Sequence, residues 1–205
     1  MTAKVLWVDL ETTGTNPLRH GIIQLAALVE IDNEIIEEVD LRMRPMTKHE
    51  VDAEALEVNG VTEAQINEWP AQSDQYAAFE ALLERYVNRY EKLDKFVLAG
   101  YNINAFDELF LRQMFLDNAK TREERKYGGY FGSWFFWPKR DVQTYVAEHI
   151  VEHTMRLKNY KLETVCAQFG IQISPHDALS DIHATRQLYR VLRYSLNPTF
   201  DEKAA

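Results

Sequence analysis

One stretch near the start constrains this chain more than any other: Val5-Leu6-Trp7-Val8-Asp9-Leu10-Glu11, followed by Thr12-Thr13-Gly14. Its β-branched and aromatic residues, bounded by a turn signal, predict a buried strand. Side chains two apart on a strand share a face, so Asp9 and Glu11 point the same way. Two like charges on a core strand repel and lose hydration, which costs several kcal/mol unless a cation offsets it. Two readings are open at this point. One is a divalent metal site at the open end of a sheet, and the other is an acidic strand end in water.

The length of 205 residues suits one domain with a full core, spanning 1–196, followed by a polar tail at 197–205 expected to be disordered. Hydrophobic content of 46% and charged content of 27% are those of an ordinary globular protein. No apolar run approaches the roughly 20 residues of a membrane span. The chain enters its first strand almost at once, so the expectation is no signal peptide and a cytoplasmic protein. The single cysteine, Cys166, excludes an internal disulfide and suits a reducing compartment. Its apolar setting reads as a buried structural thiol. A net charge of −9 argues against coating nucleic acid by electrostatics alone. Acids gathered around bound metals still count as negative in the sequence, so nucleic acid stays open.

Ile22 to Ile31, an Asp32-Asn33 turn and Ile35 to Arg44 read as a hairpin stopped by Pro45, its second arm alternating as a half-exposed strand. Residues 52–58 predict a short helix ended by Asn59-Gly60, and Thr62 with Gln65 a capping box for another. A helix from Ser73 to Tyr90 places Tyr76, Phe79, Leu83, Tyr86 and Tyr90 on one stripe, read as core. The strand Phe96 to Tyr101 runs through Asn102-Ile103-Asn104 into a helix from Ala105, and further helices are expected over 141–153, 160–169 and 178–195. A hairpin-led sheet followed by βα alternation is a mixed α/β domain.

Two further acids lie on apolar helix faces. Asp107 aligns with Phe110, Leu111 and Met114, and with Asn104 as N-cap it falls in the first helical turn. Asp181 shares a stripe with Thr185, Leu188 and Leu192, where an unpaired carboxylate is expensive. His176 is five residues before Asp181, too far round a helix for both to converge, so it is placed on the preceding loop with Asp177 as N-cap. Ser174 as cap with Pro175 at the first helical position is the competing arrangement.

Asp9-Leu10-Glu11-Thr12-Thr13-Gly14, Tyr101-Asn102-Ile103-Asn104-Ala105-Phe106-Asp107 and His176-Asp177-Ala178-Leu179-Ser180-Asp181 together resemble the three motifs of the DEDDh 3′→5′ exonucleases. That DnaQ-like family is typified by the proofreading epsilon subunit of bacterial DNA polymerase III. The likeness extends over residues 4–195 and departs at Tyr101, where many members carry histidine. It implies a ribonuclease-H-like fold, a mixed five-stranded sheet, antiparallel in its first three strands, flanked by helices. It also implies two Mg²⁺ or Mn²⁺ ions held by Asp9, Glu11, Asp107 and Asp181. Such ions, about 4 Å apart, serve in-line hydrolysis at phosphorus, with His176 as the base. Thr12, Thr13, Gly14, Asn102 and Phe106 are the implied substrate contacts, although Phe106 equally reads as a core aromatic.

The expected activity is metal-dependent release of nucleoside 5′-monophosphates from single-stranded DNA ends. An RNA-trimming member, such as an oligoribonuclease or an RNase T-like enzyme, fits the same motifs, since discrimination rests on the treatment of the 2′-OH. A polymerase- or repair-associated binding subunit is the reading from another class; the short tail after the last helix favours a stand-alone enzyme over it. Outside the motifs, residues 120–140 carry six basic side chains and two acidic ones, with seven aromatics between Tyr127 and Trp137. Interleaved aromatics and cations hold single strands, and a glycine-jointed lid packed on the domain has the same composition. In the first case Trp134→Ala and Trp137→Ala weaken strand binding more than they lower the melting temperature, and in the second the order reverses.

Overall fold

The computed structural model describes residues 3–174 and 177–196. Its sheet has five strands in the order β3-β2-β1-β4-β5: β1 (Lys4–Thr12), β2 (Ile22–Ile31), β3 (Glu34–Arg42), β4 (Val97–Gly100) and β5 (Arg140–Asp141). The first three strands pair antiparallel, while β4 lies parallel to β1 and β5 parallel to β4. This is the mixed sheet that the family resemblance implied.

The Asp32-Asn33 turn has both residues in the left-handed region (φ 52 and 73), which matches the twist of a hairpin. β2 is buried along nearly its whole length, as an apolar run covered on both faces should be. β3, at the edge, alternates exposed and half-buried. It ends at Arg42, two residues short of the expected arm, and Arg44 instead bridges to Ala71.

The alternation of β1 sorts its side chains between two layers. Leu6, Val8 and Leu10 face α3 (Gln72–Tyr86) and α4 (Asp107–Asp117), meeting Phe79, Leu83, Leu111 and Phe115. Val5 and Trp7 face α7 (Val142–Glu152), α8 (Leu162–Gln168) and α9 (Ala178–Leu196), meeting Val146, Cys166, Ile182 and Leu188. The cysteine is the buried thiol expected, pushed up to about 11 by burial and then by Asp181. By the same alternation, Asp9 and Glu11 emerge on the α9 side. Two short helices, α1 (Ala53–Val58) and α2 (Glu63–Glu68), close one end around Ile23, Leu56 and Ile66. The Thr62–Gln65 capping box of α2 forms as read.

Two helix boundaries differ from expectation. α3 stops at Tyr86, because Lys4 on β1 hydrogen-bonds the Tyr86 carbonyl and Val87 turns extended into the core. Tyr90 is therefore 83% exposed and no part of the aromatic stripe. α4 starts at Asp107 with Phe106, not Asn104, at the N-cap position. The Asn104 N–H donates to Asp141 Oδ2 and Asn102 is left-handed (φ 58), so a turn occupies the start of the expected helix.

Residues 120–140 form α5 (Arg122–Lys126), a 3-10 turn (Gly128–Tyr130) and α6 (Phe131–Trp134). Phe131, Trp134 and Phe135 are buried in the α3–α4 layer. Gly129 takes φ 64 where a Cβ would lie 2.4 Å from the Phe115 carbonyl oxygen, so no larger residue fits. Packing is thus the role of Phe131, Trp134 and Phe135. Trp137 (81% exposed) and Tyr127 (53%) stay at the surface. Among the described residues no helix is long and apolar enough to cross a membrane.

Candidate metal and catalytic site

β1 delivers the first two acids. Glu11 sits just before a register shift against β2, and such a bulge bends the strand where it leaves the ladder. The third acid comes from the start of α9. Asp177 caps that helix, its Oδ1 accepting the Leu179 and Ser180 N–H groups at 3.1 Å each, so the Ser174 alternative falls away. Asp181 follows in the first turn, on the face where Thr185, Leu188 and Leu192 are buried. Ligand oxygens of Asp9, Glu11 and Asp181 lie within 4.8 Å of one another.

Asp107 approaches from the other layer. Its side chain is buried, and Oδ1 accepts the Leu10 N–H at 3.1 Å, which fixes the start of α4 to the backbone between Asp9 and Glu11. All four carboxylates line one cleft of about 520 Å³. Asp141 supports this arrangement from below. It caps α7 through Gln143 N–H (3.1 Å) and accepts the Asn102 and Asn104 N–H groups, both at 3.1 Å. One carboxylate thus caps α7 and pins the turn that carries Asn102 and Asn104.

Crowding shows in the protonation of the acids. Burial, then Asp107, Glu11 and Asp181, raise the Asp9 carboxyl well above the usual range. Glu11 is pushed up to about 7 by burial, then by Asp181 and Asp177. Asp107 reaches about 8, mainly through burial, although the backbone N–H groups of Asp107 and Leu10 oppose the rise. Without a cation the cluster cannot carry all its charges at neutral pH. Among the described residues the converging groups are hard carboxylate oxygens, which suit a divalent cation that takes oxygen ligands.

A second groove of about 370 Å³ adjoins the first and shares Leu10, Glu11 and Phe106 with it. Thr12 and Gly14 line it, and Asn102 lines the metal cleft. Thr13 lines neither: it is fully buried, its hydroxyl donating to the Glu50 carbonyl (2.7 Å) and accepting the Gly21 N–H (3.0 Å). A Cβ on Gly14 would fall 2.5 Å from the His20 ring, so a glycine is required where the turn closes on that buried histidine. Phe106 is half-buried, with its ring 5.0 Å from Phe110, and it joins core to groove. His176 lies outside the described residues. The wall opposite the motifs holds Tyr101, Gln143, Tyr160, Lys161 and Glu163, of which the motif reading caught only Tyr101. No spacing rule marks the others, because Gln143 on α7, Tyr160 and Lys161 just before α8, and Glu163 on α8 meet only through the fold.

With this geometry in place, relatives can be compared. The exonuclease family model (RNase T) matches residues 6–189. The PolC-type DNA polymerase III of Thermotoga petrophila is 22% identical over 183 residues, 89% of this chain and 11% of the relative. The Thermotoga maritima protein of the same name matches equally, at 22% over 183 residues. Among solved structures, E. coli exonuclease I in complex with a dT13 oligonucleotide superposes with a TM-score of 0.75 at 20% identity, covering 97% of this chain and 43% of that one. Its zinc-bound complex with single-stranded DNA gives 0.74 at 20%, over 97% and 42%. This chain therefore spans about a tenth of the curated relatives' length, 11%, and less than half of the solved chains. At such identity the superpositions establish the fold.

Proposed function

The chain belongs to the exonuclease family (RNase T), and on that footing we propose that it is a DnaQ-like 3′→5′ exonuclease that removes nucleoside 5′-monophosphates one at a time from single-stranded DNA ends. The observation that carries the proposal is the convergence of Asp9, Glu11 and Asp181 within 4.8 Å, with Asp107 in the same cleft. DNA is preferred to RNA because the similar structures hold DNA oligonucleotides and the curated relatives are DNA polymerases.

Asp9, Glu11, Asp107 and Asp181 would hold two Mg²⁺ or Mn²⁺ ions. When bound, such ions lower the pKa of a coordinated water and stabilise charge on a leaving oxygen, together worth several kcal/mol. The chain's own residues do the rest. The Leu10 N–H holds Asp107 Oδ1 and so fixes the carboxylate against β1 at the cleft. Thr12, Gly14 and Phe106 line the adjoining groove, which receives the terminal nucleoside with Phe106 against its base or sugar. Asn102, pinned through its N–H by Asp141, borders the cleft on the other side. His176, just before the Asp177 cap, accepts the proton of the attacking water; an imidazole with an unperturbed pKa near 6.5 suits that task at neutral pH. The PolC-type relatives carry the matching segment within a polymerase chain, so a polymerase is the partner to seek by co-purification.

The test is degradation of a 5′-labelled DNA oligonucleotide, and its RNA counterpart, with and without Mg²⁺ or Mn²⁺. Metal-dependent shortening from the 3′ end, lost in Asp9→Ala, is the expected outcome. Cleavage without metal, or from the labelled end, overturns the proposal, and faster RNA than DNA cleavage reassigns the substrate.

A further inference from the structure

The cleft is built from acids, yet its substrate is a polyanion. Besides Asp9, Glu11, Asp107 and Asp181, Glu163 also lines it. Among the described residues lining the cleft, Lys161 is the one cation. Several cations elsewhere are paired, Lys4 with Asp94, Lys48 with Asp117, Lys139 and Arg112 with Glu108, and Arg186 with Glu30. Surface lysines such as Lys92 and Lys158 form no ion pair among the described residues, so what sets Lys161 apart is its place in the acidic cleft. The Lys161 ammonium forms no ion pair among the described residues, although five carboxylates share its cleft. It is exposed.

Its backbone, by contrast, is fixed. The Lys161 N–H donates to Asn159 Oδ1 at 3.0 Å, and its carbonyl accepts the Val165 N–H at 3.1 Å. The preceding carbonyl, Tyr160 O, accepts the Tyr101 hydroxyl and, at 3.4 Å, Gln143 Nε2. Tyr101 follows directly on β4, so a phenol rooted in the sheet holds the loop that presents the lysine. A free ammonium on an anchored loop is a point charge placed for an anion.

We propose that Lys161 binds a backbone phosphate of the strand lying in the cleft, and that Tyr101 is a positioning residue acting through the Tyr160 carbonyl. The inference rests on the exonuclease reading and adds a residue to it. Bound metal would neutralise the acids, and Lys161 supplies the direct, sequence-independent contact that a chain of net charge −9 otherwise lacks there.

The test is binding of a fluorescent dT oligonucleotide by the full chain in Ca²⁺, across a salt series, alongside KM and kcat in Mg²⁺. Lys161→Ala should raise Kd and KM about tenfold, with kcat changed less than about threefold. The slope of log K against log salt should fall by about 0.7, one single-strand phosphate contact. Lys161→Arg should restore the slope, and Tyr101→Phe should weaken binding in the same direction by less. An unchanged Kd and salt slope in Lys161→Ala overturns the inference even if the wild type cleaves as expected. A weakened, less salt-dependent complex supports it even if cleavage fails, because it is read without turnover.

Discussion

α4 opens and closes on a carboxylate, and its two ends behave in opposite ways. Asp117, at the last residue, is 3% exposed in its side chain and lies where the helix dipole disfavours negative charge. Burial pushes it up, yet hydrogen bonds from His49 (3.1 Å), Lys48 and Gln113 (2.6 Å) more than offset this and hold it below the usual range. Asp107, at the first residue, is also buried and has the favourable end of the dipole. It nevertheless rises to about 8, driven first by burial and then by the charges of Glu11 and Asp141. Burial is common to both, so burial does not mark a site. Cations and donors complete Asp117, whereas Asp107 faces other acids, which is the setting that the proposed metal-ligand role rests on.

Substituting the two ends should separate them most sharply. Asp107→Asn should lower turnover about 10³-fold, the loss of several kcal/mol of stabilisation at ~1.4 kcal/mol per tenfold. The same change should raise the melting temperature of the metal-free protein at pH 8, by removing a crowded acid. Asp117→Asn should do the reverse, costing about 2 kcal/mol in denaturant unfolding through lost charged hydrogen bonds while kcat holds. Equal effects from the two would end the distinction.

The pH dependence sharpens the contrast. Glu11 and Asp107 keep protons up to about 7 and about 8 in the folded chain, against about 4 when unfolded. The stability this contributes is full below the unfolded value and lost as pH rises through 7 to 8. Metal-free protein should therefore gain about 4 kcal/mol as the pH falls from about 8.5 to 6, and saturating Mg²⁺ should stabilise more at the higher pH. Asp117 has the opposite sign, its contribution being present above the unfolded carboxylate value and lost as the pH drops further. A thermal melt series with and without Mg²⁺ reads both.

A last contrast concerns two tryptophans three residues apart, one of which should scarcely matter. Trp137→Ala should change stability by less than about 0.5 kcal/mol, as at an exposed position, while Trp134→Ala opens a core cavity costing about 3 kcal/mol. Melting temperatures of the pair decide this.

What the sequence made legible was whatever depends on local period. The alternation along β1 put Asp9 and Glu11 on one face, the helical stripes turned Asp107 and Asp181 inward, and the Asp32-Asn33 hairpin and Thr62–Gln65 box followed from turn and cap chemistry. Partners remote in sequence were not legible. Lys4 ends α3 from across the sheet, Asp141 takes the N–H groups that would have begun α4 earlier, and Thr13 spends its hydroxyl on Glu50 and Gly21. Lys161 belongs with these, since its meaning comes from the cleft it faces.

The most direct test of the four-carboxylate centre is a Mn²⁺ titration at pH 8, followed by electron paramagnetic resonance, on wild type, Asp107→Asn and Asp117→Asn. Two Mn²⁺ ions on the wild type, weakened or lost in Asp107→Asn and intact in Asp117→Asn, is the expected result. Mn²⁺ binding that Asp107→Asn leaves untouched, or no binding to the wild type, would contradict it.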